Sequence, residues 1–252
     1  MIRCSRSICL FISMALMGMA HTIVLLPGLD GTGLLLQDFK AALERFYTVK
    51  LISYPVDDPL SYDELLPLIR AGLPDGNFIV VGESFSGPLA LRLAMDAPSG
   101  LRGIVLGASF ARLDLQLKSA LAGLVKFIPV HYIPSHILAF ILLGRWATPD
   151  HRRHLTGALS RVSSKVLVAR VEAVLNIDLV KDARRLALPL LYLRASADRL
   201  IPSSAVRSIT SIAPTTIIQE IAAPHFLFQT APTACADAIR RFSEAIAARN
   251  AG

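Results

Sequence analysis

The sequence has little cysteine and little charge. Only three cysteines occur in 252 residues, and two of them, Cys4 and Cys9, fall in the N-terminal stretch, which leaves neither a disulfide framework nor a cysteine-based metal cluster. Charged residues make up 18% of the chain against 53% hydrophobic residues, a balance that excludes a disordered protein. Internal repeats of the kind that build solenoids are also missing. The chain is therefore globular and long enough to bury a sizeable core.

The N-terminal apolar stretch, ICLFISMALMGMA, is too short to span a bilayer. It has 13 residues, whereas a membrane-spanning helix needs about 20. Arg3 and Arg6 precede it and small residues close it, which is the pattern of a signal peptide. We therefore predict that residues 1–20 are a signal peptide or an N-terminal extension, and that the protein is periplasmic or secreted. If translation starts at Met19 instead, the protein is expected to be cytoplasmic.

Positive charge is concentrated in one segment of the chain. Residues 111–188 hold twelve Lys and Arg against five Asp and Glu, and the other residues hold fourteen of each. Such a patch could attract an acidic carrier protein or a membrane surface. The alternative is that the arginines cover apolar helices with their stems while their charged heads stay in water. Nucleic-acid binding is not supported, because the basic residues are scattered and form no known motif.

Short apolar runs alternate with helical patterns along the chain. The runs are HTIVLLPG, YTVKLISYP, NFIVVGES, LRGIVLGAS, LPLLYLRAS and TTIIQEI. This alternation predicts an α/β fold with a mostly parallel central sheet flanked by helices. IVLL and FIVV are apolar on both faces, as expected of strands covered on each side. Between the first two runs, Leu36, Phe39, Leu43 and Phe46 form a stripe at helical spacing that we expect to face the sheet.

A helical insertion is predicted over about residues 111–188, within a domain that covers 21–252. The rhythm there changes to long helical patterns broken at Pro129, Pro134 and Pro149, with few strand signals. Its segment LAFILLGRW is strongly apolar. One interpretation is an ordinary buried helix. The other is a lid whose underside lines an apolar pocket.

The stretch VVGESFSG predicts a nucleophile at Ser84. A nucleophile on a sharp turn from strand to helix needs very small neighbours two residues away on either side. Gly82 and Ser86 meet that need for Ser84, whereas Ser86 has Pro88 as a neighbour. Ser86 is then the small residue that lets the helix approach the strand. A serine between glycines can also be a simple turn residue or a helix N-cap.

A serine nucleophile needs a histidine to accept its proton and an acid to orient that histidine. Asp198 follows the run LPLLYLRA, and His225 follows TTIIQEI, which gives the order serine, acid, histidine. Each residue taken alone could be a loop residue, but the three together at successive strand ends predict a catalytic triad. The other histidines, His131, His136, His151 and His154, rank lower because they lie in the predicted insertion. His151 and His154 have no third metal ligand nearby in the sequence, so we predict no metal site.

Acyl transfer also needs backbone N–H groups that bind the developing oxyanion. One is the amide of Phe85, directly after the nucleophile. The other is expected from the loop LLPGLDGTG, at Leu29, with Asp30 as a turn cap. A phosphate-binding loop is the alternative there, but the GK[ST] ending and the GxGxxG spacing are both missing.

The motifs LLPGLDGTG, GESFSG, SADRLIP and APHF, in this order, resemble the α/β-hydrolase superfamily over residues 21–252. The chain looks in particular like small bacterial carboxylesterases of the pimeloyl-carrier-protein methyl ester esterase type, and more distantly like plant phytyl ester synthases. Three positions depart from the family pattern, since Pro27 replaces histidine, and Ser86 and Pro224 replace glycines. Two leading strands found in many relatives are not recognisable.

The residues and the resemblance together imply a serine carboxylic-ester hydrolase. It would act on short to medium acyl esters through an acyl-enzyme, with no cofactor. An acyltransferase or a carrier-protein methyl ester esterase on the same triad is the first alternative. A ligand-binding protein that has kept the fold without catalysis is the second.

Overall fold

The computed structural model describes residues 21–113, 134–181 and 185–250. The predicted signal peptide at 1–20, His131 and parts of the predicted insertion lie outside the described residues. The signal peptide and the bounds of the insertion therefore stay predictions. No helix in the described ranges combines the length and the apolar character needed to cross a membrane.

The described strands form one six-stranded sheet in which every neighbouring pair is parallel. The strand order is β2-β1-β3-β4-β5-β6. This confirms the predicted parallel sheet, and all six predicted apolar runs form its strands. Their bounds are β1 Thr22–Leu26, β2 Val49–Leu51, β3 Phe78–Glu83, β4 Leu101–Gly107, β5 Leu190–Ala195 and β6 Ile217–Ile221.

Helices cover both faces of the sheet. In chain order their bounds are α1 Gln37–Glu44, α2 Tyr62–Ala71, α3 Gly87–Asp96, α4 Ser135–Leu142, α5 Pro149–Leu159, α6 Ser164–Asn176, α7 Ser204–Ile212, α8 Leu227–Thr230 and α9 Pro232–Asn250. One buried cluster joins α1, α8 and α9 to one face of the sheet. A second joins α2, α3 and α7 to the other face.

Strand side chains alternate between the two clusters. Ile23 and Leu25 of β1 enter the first cluster, and Val24 and Leu26 enter the second. All four are fully buried. Because full burial of such a side chain contributes roughly 1.5–3 kcal/mol, strands that are apolar on both faces are stable only with helices on each side.

One expectation about α1 is wrong. The predicted stripe is buried at Leu36, Phe39 and Leu43, but Phe46 is 41% exposed. The helix ends at Glu44, so helical spacing no longer governs the direction of the Phe46 side chain. Its ring instead packs against the guanidinium groups of Arg45 and Arg240.

Helices α4, α5 and α6 occupy the described part of the connection between β4 and β5. A bridge between Arg112 and Asp178 joins the start of this connection to the residues after α6. The apolar segment LAFILLGRW falls in α4 and the short turn after it. Phe140 of α4 is 63% exposed and stacks on the guanidinium of Arg199, so this helix is not an ordinary buried one.

Candidate active site

The candidate site lies where the order of the strands reverses. From β1 the chain continues to β2 on one side, while β3 lies on the other side of β1. In open α/β sheets, crevices at the carboxyl ends of two such strands are the usual places for ligands. We call residues 27–33, which follow β1, the β1 loop. The turn that follows β3 begins at Ser84.

The turn at Ser84 is sharp and its backbone is strained. Ser84 has φ 46°, in the left-handed region that residues with a Cβ rarely adopt. A Cβ on Gly82 would lie 2.7 Å from the carbonyl oxygen of Ser86, and a Cβ on Gly87 would collide with the side chain of Ser109. The predicted need for small residues around Ser84 therefore holds sterically. The Ser109 hydroxyl also donates to the Ser84 carbonyl at 2.6 Å.

The three residues predicted as a triad lie in hydrogen-bonding contact. Ser84 Oγ and His225 Nε2 are 2.9 Å apart. His225 Nδ1 and Asp198 Oδ2 are also 2.9 Å apart. The imidazole is nearly buried, with 3% of its side chain exposed, and the Asp198 side chain is 7% exposed. Three side chains from three different strand ends thus form one hydrogen-bonded relay.

Asp198 is held as a carboxylate. Its Oδ1 accepts hydrogen bonds from the amides of Leu200 and Ile201, at 2.8 and 2.9 Å. Burial alone would raise the pKa of Asp198, but the hydrogen bond and charge of His225, together with these two amides, outweigh it and lower the pKa. Asp198 therefore remains an acceptor that fixes the orientation of the imidazole.

His225 is positioned by the loop between β6 and α8, and this loop contacts α4. The amide of Phe226 donates to the carbonyl of Leu142 at 3.2 Å. The connection between β4 and β5 thus reaches the residue next to His225.

An apolar cavity of about 240 Å³ opens onto Ser84. Helices α4, α5 and α6 contribute seven aliphatic side chains to its wall: Leu138, Leu142, Leu155, Leu159, Val171, Val174 and Leu175. Gly28, Leu29, Phe85 and His225 also line it. The serine hydroxyl therefore faces a cavity that is better suited to an apolar ligand group than to water molecules.

Leu29 and Phe85, the predicted oxyanion donors, lie on the same cavity as Ser84. The Phe85 ring is buried and stacks on Tyr62 at 4.8 Å between ring centroids. The Tyr62 hydroxyl donates to the Phe85 carbonyl at 2.9 Å. Asp30 accepts hydrogen bonds from the backbone and hydroxyl of Thr32, as expected of a turn cap.

Sequence reasoning missed Glu83, the residue before Ser84. Its carboxyl is buried in the cavity wall, where Oε1 accepts from Gln229 Nε2 at 2.7 Å and Oε2 accepts from the Gly28 amide at 3.1 Å. Burial raises the pKa of Glu83 to about 7, with Asp30 adding to the rise and the hydrogen bonds and His225 opposing it. The sequence gives no signal that this glutamate of the GESFSG motif binds the Gly28 amide and Gln229, because both partners are distant in the chain.

Ser86 does more than provide a small side chain. Its hydroxyl donates to the carbonyl of Pro27 and lies 2.6 Å from the Tyr54 hydroxyl. Two of the departures from the family pattern are therefore bonded to each other. The contact ties the turn at Ser84 to the β1 loop.

Arg170 belongs to the basic segment 111–188 of the sequence, but its side chain is buried. It lies on α6 with 1% of its surface exposed. Its guanidinium donates to the carbonyls of Leu29, Asp30 and Pro55. One of the twelve basic residues of segment 111–188 is thus withdrawn from any surface patch.

The other histidines of the described ranges are apart from this relay. His21 is buried against Ser243, with 3.0 Å between Nδ1 and Oγ. His136 and His154 are exposed, and His151 Nδ1 lies 3.0 Å from the carbonyl of Trp146. Within the described ranges, no group of three His, Cys, Asp or Glu side chains is arranged to hold a metal ion.

Comparison with known sequences assigns the chain to one family. The sequence model described as "Alpha/beta hydrolase family" matches residues 23–238. The chain is 31% identical over 135 residues to "Phytyl ester synthase 1, chloroplastic" of Arabidopsis thaliana, which is 49% of this chain but only 19% of the length of that protein. It is 24% identical over 248 residues to "Putative carbamate hydrolase RutD" of Caulobacter sp. strain K31, covering 88% of this chain and 90% of the relative.

Comparison with solved structures shows the fold. A hydrolase from Oleispira antarctica superposes with a TM-score of 0.76 at 15% identity, covering 89% of this chain and 91% of that one. The predicted α/β-hydrolase fold is confirmed.

Proposed function

Because the chain belongs to the alpha/beta hydrolase family, we propose that it is a serine carboxylic-ester hydrolase with Ser84, His225 and Asp198 as its triad. The observation that carries this proposal is the relay from Ser84 through His225 to Asp198, with both links at 2.9 Å, opening onto an apolar cavity. The chemistry needs neither a metal ion nor an organic cofactor.

The first half of the reaction forms an acyl-enzyme. His225 Nε2 takes the proton of the Ser84 hydroxyl as Oγ attacks the ester carbonyl. The amides of Leu29 and Phe85 bind the oxyanion of the tetrahedral intermediate. The C–O bond to the alcohol then breaks, and His225 returns the proton to the leaving alcohol.

The second half releases the acid. A water gives its proton to His225 and attacks the acyl carbonyl, and the bond to Ser84 Oγ breaks as His225 protonates that oxygen. Asp198 orients the imidazole through both halves and stabilises the imidazolium that forms while Nε2 holds the proton, because its carboxylate accepts the Nδ1–H.

The cavity favours an uncharged acyl group of short to medium length. Its wall is mainly aliphatic, and its ionisable lining residues are Asp30, Glu83 and His225. None of the lining residues in the described part of the chain is a lysine or arginine. An acyl chain with a second carboxylate would thus meet acids without a matching cation.

Replacing Ser84 with alanine tests the proposal. On purified protein with p-nitrophenyl butyrate, we expect kcat/KM to fall by at least about 10⁴-fold, because the nucleophile is lost. Ser211→Ala, at an exposed serine of α7, is the matched control and should keep full activity. Undiminished turnover by the Ser84→Ala variant would refute the assignment. A wild-type Ser84 that does not react with a fluorophosphonate would favour a non-catalytic ligand-binding protein.

Acyl transfer to an alcohol, or cleavage of a carrier-protein ester, is the second candidate. The similarity to a phytyl ester synthase favours it, as do the exposed basic residues of α5 and the turn after it, including Arg153, His154 and Arg161, which could contact an acidic carrier or a membrane surface. Raising the salt concentration should then slow a carrier-bound ester far more than a p-nitrophenyl ester. An equal response of both substrates would contradict docking by charge.

A further inference from the structure

Arg170 is the buried cation of the described structure, and its hydrogen bonds go to backbone carbonyls. Nη1 donates to the carbonyls of Leu29 and Asp30 at 2.9 and 2.8 Å. Nη2 donates to the carbonyl of Pro55 at 2.8 Å. None of these acceptors is a carboxylate. Burying a charge is costly unless its hydrogen bonds are satisfied. The three carbonyls therefore compensate for the burial of the Arg170 guanidinium.

The surroundings of the guanidinium are shaped to receive it. Its carbon lies 5.6 Å from the ring centroid of Tyr54 and 5.8 Å from that of Phe85, within the range of cation–π contacts. A Cβ on Gly31 would lie 2.5 Å from Arg170 Nη1, and Gly31 has φ +70°. Gly31 is therefore required both by the turn and by the approach of the arginine.

The Gly28–Leu29 peptide, whose N–H is the proposed oxyanion donor, lies between two tethered groups. On one side the Gly28 amide donates to Glu83 Oε2. On the other side the Leu29 carbonyl accepts from Arg170. The Gly28 carbonyl of this peptide also accepts from the Gly31 amide at 3.0 Å. The direction of the Leu29 N–H therefore depends on this turn, on Glu83 and on Arg170 of α6.

We propose that Arg170 is a positioning residue that holds the β1 loop so that the Leu29 amide points at the oxyanion. This rests on the proposed function. It makes α6 part of the machinery, because the arginine reaches the loop from 141 residues further along the chain. Arginine suits the role, since its planar fork donates to several carbonyls at once and a lysine cannot reproduce that geometry.

The test compares Arg170→Met with the conservative Arg170→Lys and with Arg207→Met, an exposed arginine of α7. Loss of orientation at a reacting centre can cost about 100-fold in rate, so for Arg170→Met we expect kcat to fall 10- to 100-fold while KM for p-nitrophenyl butyrate stays within threefold. Arg170→Lys should recover part of the loss, and the control should match wild type. Thermal unfolding of each variant fixes an assay temperature at which it is folded.

Hydrogen exchange gives a readout that does not depend on turnover. Amides of the β1 loop should exchange faster in Arg170→Met than in wild type or the control. If Arg170→Met does not fold, Arg170→Lys takes its place in both measurements and should show smaller changes in the same directions.

The outcomes separate the two proposals. If wild type hydrolyses the ester and Ser84→Ala does not, but the Arg170 variants keep kcat within threefold and the loop exchanges as in wild type, the positioning role is wrong and the hydrolase proposal stands. A parallel rise in KM and fall in kcat would also overturn it, because that pattern indicates general loss of the site. If wild type fails to turn over any ester and Ser84 is not labelled, the proposed function itself is wrong.

Discussion

The two sides of Ser84 are built in different ways. On one side, His225 and Asp198 supply side-chain atoms that contact the serine or each other directly. On the other side, the proposed donors are backbone amides of Leu29 and Phe85, which line the same cavity. The Glu83 and Arg170 side chains bind the backbone next to Leu29 and do not contact the reacting atoms. The comparison teaches that a chemical role and the support for it can sit in quite different parts of a chain.

Asp198→Asn is the strongest test of the side of Ser84 that is built from the His225 and Asp198 side chains. An asparagine can keep the shape of the site but not the imidazole tautomer, so we expect kcat for ester hydrolysis to fall by about 10³- to 10⁴-fold. Steady-state kinetics with p-nitrophenyl butyrate would measure it. Asp150→Asn, at an exposed aspartate of α5, should leave kcat unchanged. A decrease in kcat of less than tenfold for Asp198→Asn would mean that the Asp198 side chain does not have the direct role in orienting His225 that we assign to it.

Glu83→Gln tests the support of the proposed backbone donors through the pH dependence of stability. The folded protein raises the pKa of Glu83 from 4.5 to about 7, so the folded state holds this proton more tightly than the unfolded state. Wild type should therefore lose stability as the pH rises from about 4.5 to 7, by roughly 3 kcal/mol from this group, and no more above that window.

Urea unfolding of wild type and Glu83→Gln across this range would measure the effect as a change in the difference between their free energies of unfolding. The exposed Glu44→Gln is the control, and its difference from wild type should change little with pH. If the difference in free energy of unfolding between wild type and Glu83→Gln changes equally little with pH, the pKa of Glu83 is not raised. The carboxyl that accepts from the Gly28 amide is then not held in a water-excluded environment.

Tyr54→Phe should have the smallest effect. It removes a hydroxyl bonded to Ser86 at 2.6 Å but leaves the ring beside Arg170 and the bond from Ser86 to Pro27 in place. We expect a loss of about 1 kcal/mol in the free energy of unfolding and less than a threefold change in kcat. A drop in kcat like that expected for Arg170→Met would show that the Tyr54 hydroxyl also positions the loop.

The same contrast explains what the sequence can predict. Ser84, Asp198 and His225 are recognisable because each follows an apolar run, and the ends of parallel strands meet at one edge of a sheet. The strands are equally visible, since runs such as IVLL and FIVV are buried on both faces. The sequence predicts the orientation of Phe46 wrongly, because periodicity does not mark where a helix ends.

The supporting residues have no such pattern. Arg170 looks like any other arginine of a basic amphipathic segment, and Glu83 looks like a variable position inside a motif. Their roles come from contacts across 141 and 55 positions of the chain. Only the folded arrangement brings a guanidinium to three carbonyls, or a carboxyl to the Gly28 amide.

The reach of Arg170 from α6 into the β1 loop also limits how this scaffold can be re-engineered. A chimera that exchanges the segment between β4 and β5 for that of another hydrolase would remove the guanidinium and leave the carbonyls of Leu29, Asp30 and Pro55 facing an unfilled gap. Transplanting new specificity onto this enzyme framework therefore calls for an arginine at the equivalent helical turn, or for a redesigned first loop.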